Sequence, residues 1–145
     1  ASGQRAAVLA QIAKLCEQRG RSVAEGGDKI SVSFSTTRLY MGMRGEGSYT
    51  EGSTTGFKGL PANVQISGIW IREISGSNAP GAVVCTLRDS QAGADLGLAI
   101  NLSSGDAGGS ASGSVNLAGT EDLRLAVDAA SGWSGTFIWG FYYKN

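Results

Sequence analysis

The run Asp95-Leu96-Gly97-Leu98-Ala99-Ile100-Asn101-Leu102 places an apolar side chain at every second position, with small or polar residues between. A period of two puts Leu96, Leu98, Ile100 and Leu102 on one face of a β-strand and leaves the other face to solvent. The same period recurs on both sides of this run. Ile30, Val32 and Phe34 alternate with serines, Leu39, Met41 and Met43 form a second run, and Val83, Cys85 and Leu87 a third. Leu123, Leu125 and Val127 give another, residues 114–117 a short one, and residues 133–143 the last. In residues 64–74, Val64, Ile66, Gly68 and Trp70 fall on one face and Ile69 and Ile71 on the other, which predicts a strand covered on both faces. Tracts rich in Gly, Ser and Thr at 45–59 and 103–114 read as loops. About eight short strands without a second helix predict a mainly β protein. The expected form is an antiparallel, jelly-roll-like β-sandwich preceded by one N-terminal α-helix. An immunoglobulin-like sandwich is the alternative, although the Cys–Trp–Cys spacing of such domains is absent.

The N-terminal segment differs in kind. From Gln4 to Arg19 there is no Gly or Pro, and Val8, Ile12, Leu15 and Arg19 follow helical spacing with Leu9 and Cys16 beside them. Ser2 suits an N-cap and Gly20 a C′ position, and Arg19 falls in the last turn, where the helix dipole favours a cation. The expected organisation is a helix over 1–20, a linker over 21–28 containing Gly26-Gly27, and a sandwich domain over 29–145. Charge follows the same division. Arg5, Lys14, Arg19 and Arg21 oppose only Glu17 in the first 21 residues, a formal +3, against −3 in the remainder. Arg5, Val8, Ile12, Lys14, Leu15 and Arg19 are therefore the candidate residues for docking the helix on a partner, its packing on its own sandwich being the alternative.

The closing run is the most aromatic. Trp133, Phe137, Trp139, Phe141 and Tyr143 share one face, and Ile138 and Tyr142 add bulk to the other. A single sandwich buries one face of a strand, so two apolar faces ask for a second cover. Three uses are open: ordinary core, a subunit interface, or rings on which sugars stack. The interface reading leads to an expected homotrimer, since cyclic closure covers identical surfaces around one axis. The glycan reading names the same set, with Trp133, Trp139 and Tyr142 in front.

A detached amphipathic helix, a Gly/Ser/Thr-rich sandwich and the closing strand Ser134-Gly135-Thr136-Phe137-Ile138-Trp139-Gly140-Phe141-Tyr142-Tyr143 together resemble the small β-sandwich structural proteins of tailed bacteriophages. These include capsid decoration, or cement, proteins and receptor-binding heads. The closing strand is also similar, distantly, to the last strand of trimeric C1q/TNF-type jelly rolls. The resemblance implies a virion protein made in the host cytoplasm, with the major capsid protein or other shell subunits as partners, no cofactor, and no nucleic-acid or membrane partner. Its alternative form is a carbohydrate-binding recognition head.

Composition agrees with a non-enzymatic role. Twelve basic and twelve acidic residues cancel, which disfavours a polyanion ligand. The chain has no histidine, which removes the Ser-His-Asp and Cys-His constellations and histidine metal sites. Cys16 and Cys85 fall in apolar patterns and read as buried hydrophobes. No apolar run reaches the length of a membrane span, and the opening residues lack a secretory layout. Gly42, Gly45 and Gly47 read as a hairpin loop, because no helix follows to hold a phosphate. Asp106 with Glu121 and Asp122 could offer oxygens to calcium, but solvated loop acids explain them as well. Glu46 with Glu51, or Asp89 with Asp95, could form a glycosidase pair, as could many pairs among a dozen acids. Three functions thus stand in order: attachment to a larger assembly, glycan recognition, and glycan cleavage.

Overall fold

The computed structural model describes residues 4–9, 22–25, 30–43, 50–52 and 54–144. Residues 4–9 form an α-helix, α1. Nine strands follow among the described residues: β1 (Ser22–Glu25), β2 (Ile30–Phe34), β3 (Leu39–Met41), β4 (Gln65–Gly76), β5 (Val83–Asp89), β6 (Ala94–Leu102), β7 (Gly108–Asn116), β8 (Leu123–Ala129) and β9 (Trp133–Lys144). One sheet has the order β1-β9-β4-β7, with β2 also on β9, and the other β3-β8-β5-β6. The antiparallel pairs are nested: β2 with β9, β3 with β8, β4 with β7 and β5 with β6. A single long hairpin rolled so that its arms alternate between two sheets gives this nesting, which is the jelly roll. The immunoglobulin-like alternative is thereby replaced.

The core lies between the sheets. The β2–β9–β4–β7 sheet contributes Phe34, Ile69, Ile71, Trp133, Phe137, Trp139 and Phe141; the other contributes Met41, Cys85, Leu87, Ile100, Leu125 and Val127, among others. The alternating run at 95–102 behaves as its period requires, with Leu98, Ile100 and Leu102 buried and Asn101 exposed.

Three expectations need correction. Residues 22–25, expected within a linker, form β1, which pairs with β9 from Ser22↔Tyr143 to Glu25↔Gly140. The sandwich sheet thus takes in residues 22–25, ahead of the expected boundary at 29. The tract 103–114, expected as a loop with only 114–117 as strand, is mostly β7. Its glycines answer a close approach: a Cβ at Gly109 would lie 2.7 Å from Leu102 Cδ2, and one at Gly113 2.8 Å from Leu98 Cδ1. Finally, β4 does not keep one parity. Its register slips between Ile66 and Gly68 against both neighbours, so Ile66, Ile69 and Ile71 all point into the core while Gly68 and Trp70 face outward. The outer face of β4 is only partly covered, with Trp70 half-buried and Arg72 and Ile74 exposed.

Candidate functional site

The slip in β4 builds the most distinctive surface of the sandwich, on the outer face of the β9–β4–β7 sheet. Trp70 stands opposite Gly140 of β9 and Ser110 of β7, and Arg72 opposite Ile138 and Gly108. Neighbours this small leave space beside the indole. On the other side Tyr142 lies over Gly68, where a Cβ would come within 3.1 Å of the tyrosine ring. The result is an open groove of about 610 Å³ lined by Trp70, Arg72, Gly108, Ser110 and Tyr142, among others. Trp70 Nε1 is buried without a hydrogen-bond partner, whereas Trp133 Nε1 donates to Glu73 Oε1 at 3.1 Å and Trp139 Nε1 to the Gly42 carbonyl at 2.9 Å. Arg72 is exposed and has no ion pair among the described residues.

The outer face of the opposite sheet is electrostatically closed. Arg38 donates to Asp128 and Asp95, and Arg88 to Asp95 and Glu51, in one chain of charges. Hydrogen bonds from Arg38, working against partial burial, hold the Asp95 carboxyl below its usual range. For Glu51 burial pushes upward, but hydrogen bonds led by that of Arg88 prevail and lower it. Arg124 and Asp122 form a buried pair at 3.1 Å beneath Thr54.

The candidate acids are occupied in the same way. Asp89 accepts from the backbone N–H of Gln91 and of Asp122, while Asp95 belongs to the arginine chain, so the two serve separate local structures. Glu46 lies outside the described residues, as do Gly45 and Gly47. Gly42, read as part of a hairpin loop, supplies the acceptor for Trp139. Asp106 caps the backbone N–H of Ser103. Glu121 accepts from the N–H groups of Ala118, Gly119 and Thr120. Burial raises the Glu121 carboxyl, but these bonds outweigh it and hold the group below its usual range. No three His, Cys, Asp or Glu side chains come together as a metal site among the described residues. Cys85 is fully buried and its thiol is pushed up to about 12, first by burial and then by Asp128.

Of the closing-strand aromatics, Trp133, Phe137, Trp139 and Phe141 are 0% exposed. They pack with Phe34 and Phe57 through tilted and edge-on ring contacts 4.5–6.1 Å apart. The expectation that these four serve a subunit interface or stack on glycans is corrected, because one face of β9 is the inner face of the chain's own sandwich. Tyr142 and Tyr143 remain half-buried, Tyr143 with its ring 6.0 Å from Phe141. Trp70, absent from the candidates read in the sequence, is half-buried on the outer face beside Tyr142. Of the helix candidates, Arg5 and Val8 lie in α1 and are exposed. Ile12, Lys14, Leu15 and Arg19 lie outside the described residues. No helix among the described residues is long and apolar enough to cross a membrane.

No family model and no curated protein matches the chain. Solved structures of similar architecture include a chain of the acidic stable capsid structure of Helicobacter pylori bacteriophage KHP30, with TM-score 0.47, 7% identity, and coverage of 86% of this chain and 93% of that one. A chain from Bacillus endospore appendages, described as disulfide-linked pili, aligns at TM-score 0.39 and 16% identity over 86% of this chain and 89% of the other. The Podospora anserina GH26-CBM35 β-(1,4)-mannanase aligns at TM-score 0.37 and 17% identity, over 84% of this chain but 28% of the enzyme. These are likenesses of general architecture.

Proposed function

We propose that the protein is a non-enzymatic structural subunit that attaches to a larger assembly and stabilises it, in its specific form a capsid decoration protein of a tailed phage. One observation carries the reading: the apolar side chains Val8 and Leu9 of α1 are 56% and 59% exposed, while the sandwich closes a full core of its own. Apolar side chains on an amphipathic helix are stabilised when a partner covers them. The sequence continues the stripe through Ile12 and Leu15 with Arg5, Lys14 and Arg19 around it, which suits a shell surface with apolar grooves and acidic rims. Among the described residues, Glu51, Asp89, Asp95, Asp106, Glu121 and Asp122 are engaged in ion pairs and backbone caps, which also favours a scaffold over a carboxylate enzyme. Contacts of about 800 Å² per partner, repeated over many copies, suffice for stable attachment. Binding only the assembled state would then stabilise that state by mass action. The homotrimer keeps as its motive only the outer face of β9, where Ile138 and Tyr142 are half-buried. The attachment reading does not require self-association, and sedimentation of the purified chain decides it.

Deleting residues 1–20 leaves β1 and its pairing with β9 in place. The truncated chain should therefore fold, with the same strand content by circular dichroism, yet fail to rebind capsids from which the protein has been stripped. Undiminished rebinding would remove the helix from the reading, and loss of folding would place it in the core.

A further inference from the structure

We propose that the groove on the outer face of the β9–β4–β7 sheet is a saccharide site, in which a sugar ring lies on the Trp70 indole and an acidic substituent of that sugar meets Arg72. Three features of the groove converge on this chemistry. The indole stands between Gly140 and Ser110, so a flat ring can approach it without meeting a large side chain. Sugars offer a C–H face to an aromatic ring and hydroxyls to the rim, and an aromatic body with a polar surround is the matching surface. Here the rim includes the Ser110 hydroxyl and Arg72, with the Tyr142 ring alongside.

The second feature is the indole N–H. The other two tryptophans of the chain each donate to a buried acceptor, whereas Trp70 Nε1 is shielded from solvent with none. A buried donor left unmade costs free energy, and a ring that turns to give this hydrogen to a ligand oxygen recovers it. Such a site is poised for an oxygen-rich ligand.

Charge supplies the third. Arg38, Arg88 and Arg124 each hold a carboxylate of the chain, and Arg72, two residues from Trp70 on the same face of β4, holds none among the described residues. A guanidinium fork without an internal partner binds an external carboxylate in two parallel hydrogen bonds. A uronic or sialic acid carries that group on the same ring that stacks.

The indole N–H signals in a ¹⁵N-correlated NMR spectrum test this directly. Trp133 and Trp139 are fully buried and already hydrogen-bonded, so a ligand in the groove should move only the third signal. Titration with 3′-sialyllactose and with trigalacturonic acid should shift the Trp70 signal saturably, with lactose at least about tenfold weaker, as loss of a charge-assisted bidentate contact implies. Arg72→Gln should abolish the preference for the acidic sugars. Ser110→Gln, an exposed change that fills the groove from β7 without touching the core, should weaken all binding at least about tenfold. The assignment is overturned if neither acidic sugar shifts the Trp70 signal at millimolar concentration, if lactose binds as well as sialyllactose, or if both variants bind as wild type. Rebinding to stripped capsids is a separate measurement, so either idea can fail alone.

Discussion

Gly109→Ala decides between two readings of the glycine-rich segment, because they predict opposite signs. If residues 103–114 were a flexible loop, adding a methyl group would restrict the unfolded chain and raise stability by about 0.4–1 kcal/mol. In β7 the added Cβ would lie 2.7 Å from Leu102 Cδ2 and 3.1 Å from Ile100 Cγ2. Both neighbours are buried core side chains, so neither can swing into solvent to make room. Overpacking of this kind costs about 1–3 kcal/mol. Against the entropic gain, the net expectation is a loss of about 1–2 kcal/mol, or a fall in Tm of roughly 3–6 °C for a chain of this size. Gly52→Ala is the control, since nothing lies within 4 Å of its Cβ, and it should leave Tm unchanged or slightly raised. Calorimetry on the two variants gives the answer. A Gly109→Ala protein more stable than the parent would refute the close packing of β7 on β6, and with it the account of why this segment is so rich in glycine.

Trp139→Phe should cost about 2 kcal/mol in urea unfolding, because it strands the Gly42 carbonyl and leaves space in the core; a change under about 0.5 kcal/mol would mean that this hydrogen bond is dispensable. In a Cys16→Ser background, Cys85 should not react with a thiol reagent at pH 8 until the protein is unfolded, since burial pushes its pKa up to about 12. Asp95 is held below its usual range by Arg38 and Arg88, so its stabilising effect is present above the unfolded carboxylate pKa and is lost as pH falls through the lower, folded value. The Tm difference between wild type and Asp95→Asn should thus be small at neutral pH, as for other exposed pairs, and shrink toward zero in acid. A gap that widened on acidification would contradict this assignment.

The alternation at 95–102 and its repeats made the strands legible, and sparing use of aromatics elsewhere made β9 conspicuous. What could not be read was which face of a doubly apolar strand lies inside. In β9 the answer comes from partners far away in sequence: Phe34 and Phe57 meet its rings, and Glu73 and Gly42 receive its indole hydrogens. In β4 a one-residue slip after Ile66 parts Trp70 from Ile66, with which the sequence pairs it on one face, and leaves the indole on a face that is only partly covered. No composition signal marks such a bulge, so the groove residue was missed while buried tryptophans were proposed in its place. Glycine was misread for a related reason. The tract before Ser114 suggests freedom, yet most of it is β7, whose glycines serve close packing against Leu98, Ile100 and Leu102. Over residues 4–9 the helix was legible because its period needs no distant partner, the rest of the expected span lying outside the described residues, and the exposure of Val8 and Leu9 turns that pattern into a question about attachment.

The most direct test of the central proposal is the heat resistance of capsids stripped of this protein and then reconstituted. Add-back of the wild-type chain should restore resistance to heat and osmotic shock, and add-back of a Val8→Glu/Leu9→Glu chain with unchanged Tm should not. Stripped capsids as robust as decorated ones, or full rescue by the doubly substituted chain, would contradict the account.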